Sequence, residues 1–144
     1  MHERQDTEYH QILVEELVGI FRTRGFRILG ASEIAGVGPA RPLPNDGYGD
    51  QEAKTPDVFA FDPKNRCYVI GEAKTGEGDL ETDHALTQYN VYLDQLDARE
   101  GTRATLYVIL PAAKVPEFNS LFTHYIHPDY WQHIVVVTSQ ALPP

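Results

Sequence analysis

Two acidic residues and a lysine occur close together in the middle of the chain, in two consecutive strand-like segments. Residues 57–62 and 67–74 are rich in apolar, β-branched and aromatic side chains, and the Pro-Lys-Asn-Arg sequence between them is typical of a turn. The pattern therefore predicts an antiparallel hairpin that carries Asp57 on one strand and Glu72 and Lys74 on the other.

The length of the predicted turn decides how the two acids face each other. If residues 63–66 form a four-residue turn, Asp57 stands directly opposite Glu72, with Cβ atoms roughly 4.5–5.5 Å apart. A two-residue turn would instead make them diagonal neighbours on the same face. Lys74 shares that face in both cases, because it lies two residues beyond Glu72 and side chains alternate along a strand.

Two carboxylates on one face predict a binding site for a divalent cation. Like charges placed opposite each other destabilise a sheet unless something offsets them. Mg²⁺ and Mn²⁺ prefer carboxylate oxygens and retain some of their water. In the alternative interpretation, Asp57 begins a solvated edge strand and Glu72-Ala73-Lys74 is a surface pattern. We favour the metal site because the triplet ends an apolar strand and faces an aspartate that follows Pro56.

The elements around the hairpin predict one α/β domain over residues 1–144, with a mixed sheet flanked by helices on both sides. Helices are expected at residues 7–24, 81–99 and 115–126, and further strands at 26–29, 103–110 and 133–138. In the second helix, the predicted buried stripe is formed by Ala85, Leu86, Tyr89, Leu93 and Leu96. Residues 36–50 form a long Gly- and Pro-rich connection that, with Arg41, Tyr48 and Lys54, could close over a substrate or simply be mobile.

Composition favours a cytoplasmic protein and argues against strong unaided binding to nucleic acid. The chain has no apolar run long enough to cross a bilayer, no signal-peptide pattern at its start and a single cysteine. Twelve Lys and Arg residues stand against 21 acidic ones, for a formal charge of −9. A bound divalent ion or a protein partner would have to supply the missing positive charge. The six histidines, His10 among them, lack zinc-site spacing and are predicted to be solvated or packed.

The chain resembles the PD-(D/E)xK nuclease superfamily, which includes restriction endonucleases, Holliday junction resolvases and RecB-type nuclease domains. Pro56-Asp57 and Glu72-Ala73-Lys74 match its motif across a short hairpin, and the resemblance covers residues 8–110. A glutamate on the first helix corresponds to Glu16, with Glu15 and Glu8 as alternatives. The Q-x-x-x-Y motif of RecB-type members corresponds to Gln88 and Tyr92.

The resemblance implies a restriction-endonuclease-like core of order α-β-β-β-α-β, with an additional C-terminal helix and strand, and Mg²⁺-dependent hydrolysis of DNA. It implies that Asp57, Glu72 and the backbone carbonyl of Ala73 hold Mg²⁺, for which Mn²⁺ substitutes, and that Lys74 orients the water and stabilises the charge on the phosphate. Glu16 would be an outer ligand or bind a second metal, Gln88 would position Lys74 or the water, and Tyr92 would brace the site.

Two further interpretations fit the sequence. The nuclease fold could serve as a binding module whose acidic surface recruits a protein partner, or the chain could be an unrelated α/β domain with surface charges on its hairpin. A homodimer is an expectation by analogy with enzymes that cut two strands.

Overall fold

The first helix, α1, is fixed by an apolar stripe and by a glycine cap. The computed structural model describes residues 2–142, with side chains from Glu8 onward, and α1 spans His2–Thr23. Its stripe of Leu13, Leu17 and Phe21 is fully buried. Gly25 has φ +82, and Phe26 N–H donates to the carbonyl of Phe21 at 3.0 Å, which ends the helix in a Schellman motif. Gly25 therefore caps the C-terminus of α1.

Five strands form one mixed sheet, as predicted. They are β1 (Arg27–Ala31), β2 (Val58–Asp62), β3 (Cys67–Ala73), β4 (Thr105–Leu110) and β5 (Ile134–Thr138), and they lie side by side in chain order. β1, β2 and β3 pair antiparallel, whereas β3, β4 and β5 pair parallel. β3 therefore separates an antiparallel half from a parallel half.

The β2–β3 turn has four residues, which is the first of the two lengths that the sequence left open. Asp62 pairs with Cys67, and the register runs without a shift to Val58 opposite Gly71. Asp62 is 6% exposed, and its carboxylate accepts hydrogen bonds from the backbone N–H groups of Lys64 (2.9 Å) and Asn65 (3.2 Å) and from the Asn65 side chain (2.8 Å). These bonds hold the turn, and the turn sets the register of the hairpin.

The second helix, α2, spans Asp83–Leu93 and ends earlier than the sequence predicts. The extension to residue 99 is wrong, and Leu96 is 49% exposed rather than part of the buried stripe. The Asp97 carboxylate accepts backbone N–H bonds from residues 99 and 100, which offers the chain a local alternative to the helix. The Arg103 guanidinium also caps the Leu93 carbonyl at 2.6 Å.

Helices cover both faces of the sheet, as predicted. On one face, α1 packs on Val58, Val69 and Ile109, and on the other, α2 and α3 (Val115–Tyr125) pack on residues that alternate with them, such as Phe59 and Ile70. Among the helices of residues 2–142, none is long and apolar enough to cross a membrane.

Candidate active site

The Glu72 side chain lies at the centre of a hydrogen-bonded group that joins β3, the start of β2 and α2. It is only 2% exposed. Its Oε1 accepts hydrogen bonds from the backbone N–H of Asp57 at 3.2 Å and from the Tyr92 hydroxyl at 3.1 Å. Its Oε2 lies 3.5 Å from Nζ of Lys74. Three elements thus hold one buried carboxyl group in place.

Asp57 makes the reciprocal contact from the opposite strand. Its Oδ2 accepts the backbone N–H of Ala73 at 2.9 Å and lies 3.2 Å from Nε2 of His10. The two acids therefore bridge the same pair of chain segments, each bonding to the other's strand. The Asp57 side chain keeps 16% of its surface exposed, so the group opens to solvent on this side.

The Lys74 side chain is buried, with 6% of its surface exposed, and three residues contact its ammonium. Its ammonium donates to Oε1 of Gln88 at 2.8 Å and lies 5.6 Å from the ring centroid of Tyr89. With Glu72 at 3.5 Å, these contacts leave the ammonium little freedom. Gln88 and Tyr92 are i and i+4 on α2, so one face of that helix reaches both Lys74 and Glu72.

The charge balance in this group is unfavourable for an ionised Glu72. Burial, and then the negative charge of Asp57, raise the pKa of Glu72 to about 8, against the opposing effect of Lys74. The hydrogen bond with Asp57 raises the pKa of His10. Burial raises the pKa of the Tyr89 and Tyr92 hydroxyls, which therefore remain protonated donors. An additional cation would favour the ionised form of Glu72.

The oxygen donors at this site fit Mg²⁺ or Mn²⁺. Mg²⁺ usually binds through one or two carboxylates and completes its shell with water and substrate phosphate. Asp57 and Glu72 supply two such carboxylates beside the backbone of Ala73. In the part of the chain that the structure describes, no group of three or more His, Cys, Asp or Glu side chains is placed to hold a metal ion. A bound ion would thus depend on backbone, water or phosphate oxygens for its remaining ligands.

Glu16 is not brought to the other candidate residues. Its carboxylate accepts hydrogen bonds from the Ser139 hydroxyl (2.7 Å) and from the backbone N–H groups of Gln140 (2.7 Å) and Ala141 (3.3 Å). Glu16 thereby fastens the segment after β5 to α1. The other five candidate side chains do share one hydrogen-bonded group: Asp57, Glu72, Lys74, Gln88 and Tyr92.

Two residues join the group without having been expected there. The α1 residue that reaches Asp57 is His10. It lies three residues before Leu13 and four before Val14, so it continues the buried stripe of α1 toward the N-terminus. That spacing was the available signal. Tyr89 was predicted as a core residue, and it is fully buried, but its ring also faces the Lys74 ammonium.

The long connection before β2 packs against α2. Lys54 is 2% exposed, and its ammonium donates to Asp50 at 2.6 Å and lies 2.9 Å from Nδ1 of His84 on α2. Arg41 lies over the ring of Phe59, 5.3 Å from its centroid. The cation of Lys54 is therefore engaged within the fold, and the connection supports α2, which carries Gln88 and Tyr92.

Comparison with known proteins assigns the chain to no family. No protein-family model matches the chain, and neither curated proteins nor solved structures include a significant match. The resemblance to the PD-(D/E)xK superfamily therefore rests on the sequence motif alone.

Proposed function

We propose that the chain is a metal-dependent nuclease of the PD-(D/E)xK type that hydrolyses phosphodiester bonds of DNA. The observation that carries the proposal is the single hydrogen-bonded group formed by Asp57, Glu72 and Lys74 at the end of the hairpin. The element order α1-β1-β2-β3-α2-β4 agrees with the restriction-endonuclease-like core that the motif implies.

Each residue of the group has a role in this reaction. Asp57, Glu72 and the backbone carbonyl of Ala73 would hold Mg²⁺ or Mn²⁺, which when bound polarises the phosphate and lowers the pKa of a water ligand. The Lys74 ammonium donates to the phosphate oxygen on which negative charge develops. Gln88 orients that ammonium, and the Tyr92 hydroxyl fixes the Glu72 carboxyl group.

The electrostatics of the chain support a role for the cation in substrate binding as well as in chemistry. With 21 acidic and 12 basic residues, the protein repels a polyanion unless positive charge is added at the site. Two buried or half-buried carboxylates are the place where a divalent cation would add it. We expect weak unaided affinity for DNA, and a protein partner or a second copy of the chain would raise it.

Cleavage assays with purified variants test the proposal. Asp57→Ala and Lys74→Ala should each reduce Mg²⁺- or Mn²⁺-dependent cleavage by about 10²-fold or more, because each removes a group that stabilises the transition state. Lys64→Ala is the matched control, since Lys64 is an exposed lysine in the turn of the same hairpin. Circular dichroism verifies that every variant is folded. Unchanged cleavage in folded Asp57→Ala or Lys74→Ala contradicts the proposal.

One observation favours a second candidate function, in which the fold acts as a binding module for a protein partner. The net charge of −9 suits a basic protein better than a nucleic acid. Calorimetric titration with Mn²⁺ separates the two candidates. Binding that is lost in Asp57→Ala supports the nuclease, whereas the absence of Mn²⁺ binding supports the module.

A further inference from the structure

A cavity of about 190 Å³ opens beside the candidate active site, where β3 and β4 end. In sheets with parallel strands, ligands commonly bind at the carboxyl ends of those strands. Leu142 closes one side of the cavity, and the other walls are formed by Tyr9, Thr75, Glu77, Pro111, Ala113 and Lys114.

The cavity and the site share the same two chain segments. Thr75 follows Lys74 at the end of β3, and Tyr9 precedes His10 on α1. Consecutive Cα atoms are about 3.8 Å apart, so the cavity begins one residue from the group around Glu72. Asp79 fixes this wall, because its carboxylate accepts the backbone N–H groups of Thr75 and Gly76, both at 2.8 Å.

The walls are apolar with charges of both signs. Tyr9 supplies an aromatic ring, and Pro111 and Ala113 supply aliphatic surface. Lys114 lies against Gly76, where a Cβ atom would come within 2.3 Å of the lysine Cγ, so this wall depends on a glycine at position 76. Lys114 and Glu77 bring a hydrogen-bond donor and an acceptor to the apolar walls.

We propose that this cavity takes an unpaired nucleobase next to the phosphate that Lys74 and a cation at Asp57 and Glu72 would hold, so that the substrate is a single-stranded or frayed nucleic acid. This inference rests on the proposed function. A planar base with polar edges suits a cavity that has an aromatic ring and a donor and acceptor. A strongly acidic chain gains little from phosphate contacts along a duplex, and base stacking gives affinity that does not require many cations.

Binding of a fluorescent single strand tests the inference without cleavage. The probe is a single-stranded DNA 12-mer containing 2-aminopurine, whose fluorescence is quenched by stacking. It is titrated in Ca²⁺ in place of Mg²⁺ or Mn²⁺, so that a divalent cation supplies positive charge at the carboxylates. Ala113→Phe should fill the cavity and weaken binding about 5- to 150-fold, the range that loss of one base–aromatic stack produces. Ala113 lies in a short 3₁₀ helix, Ala112–Lys114, that follows β4. Ala112→Phe is the matched control, because Ala112 is the adjacent exposed alanine of that helix and does not line the cavity. It should bind within twofold of the wild type.

Cleavage in Mn²⁺ separates this inference from the function on which it rests. We expect the wild type to cut the single strand at least tenfold faster than a blunt duplex of the same sequence, and Ala113→Phe to lose that preference. Equal binding by Ala113→Phe and Ala112→Phe, or equal cutting of duplex and single strand, overturns the cavity assignment and leaves the nuclease proposal intact. Absence of cleavage of every DNA by the wild type overturns both.

Discussion

Glu72→Gln should stabilise the fold at neutral pH while it removes cleavage. In the folded protein, burial and Asp57 raise the pKa of Glu72 from 4.5 to about 8, whereas in the unfolded chain this carboxyl has its ordinary pKa. Between these two values the unfolded state has released a proton that the folded state retains. The free energy of unfolding of the wild type therefore falls as pH rises through this window.

The magnitude follows from the width of the window. One pKa unit corresponds to about 1.4 kcal/mol, so at pH 7 the penalty at Glu72 is about 3 kcal/mol. Glutamine does not titrate and avoids this penalty, but its amide would lie against the Lys74 ammonium, where the carboxyl oxygen now stands at 3.5 Å. A buried amide N–H that faces an ammonium and has no acceptor costs about 1–2 kcal/mol. The net gain at pH 7 is about 1–2 kcal/mol, or roughly 2–8 °C in Tm.

Urea unfolding at pH 5, 6, 7 and 8 in EDTA measures this effect. The stability of Glu72→Gln relative to the wild type should rise by up to about 1.4 kcal/mol for each pH unit and begin to level off near pH 8. Glu15→Gln, an exposed glutamate of α1, is the control and should show no such trend. Mn²⁺ at 100 times its Kd should stabilise the wild type by about 2.7 kcal/mol and the variant by much less. A stability difference that is constant from pH 5 to pH 8 would refute the reasoning.

Three further predictions concern the supports of the site. Gly71→Ala should lower the free energy of unfolding by about 1–3 kcal/mol, because the new Cβ would lie 2.5 Å from Leu17 Cδ2; an unchanged Tm would contradict this. In metal-free buffer, His10→Asn should destabilise the protein more at pH 5.5 than at pH 8. Asp57 raises the pKa of His10, so its contribution is full below about 6.5 and is lost as pH rises through the folded pKa; equal urea-unfolding differences at both pH values would argue otherwise. Lys54→Met should speed hydrogen exchange in residues 44–54, because it removes the contacts of the Lys54 ammonium with Asp50 and with His84 on α2. Unchanged exchange, measured by mass spectrometry, would contradict this role of Lys54.

The hairpin and its acids could be predicted because everything that determines them is local. The turn residues and the alternation of side chains set the register of β2 against β3, and that register places Asp57 opposite the Glu72 end of β3. The i, i+4 spacing of Gln88 and Tyr92 likewise placed both on one face of a helix. These relations span short stretches of chain and do not depend on how distant elements dock.

The contribution of α1 could not be predicted because it depends on how that helix lies across the sheet. Glu16 and His10 both stand near the apolar stripe, and at 1.5 Å per residue they are about 9 Å apart along the axis. A small change in the position of the helix decides which of them meets Asp57. The end of α2 was missed for a similar reason, since Arg103 caps the helix from beyond the next turn.

The turn at Asp62 sets the position of the acid pair although it lies at the far end of the hairpin. Asp62 lies five residues after Asp57, which at about 3.3 Å per residue is roughly 16 Å. If one residue inserted after Pro63 slipped the pairing by a single step, Asp57 would no longer stand opposite the Glu72 end of β3. The bonds from Asp57 N–H to Glu72 and from Ala73 N–H to Asp57 would then be lost. Evolutionary or engineered changes in the length of this remote loop would thus act as an on–off control of the acid pair, without altering any residue that touches it.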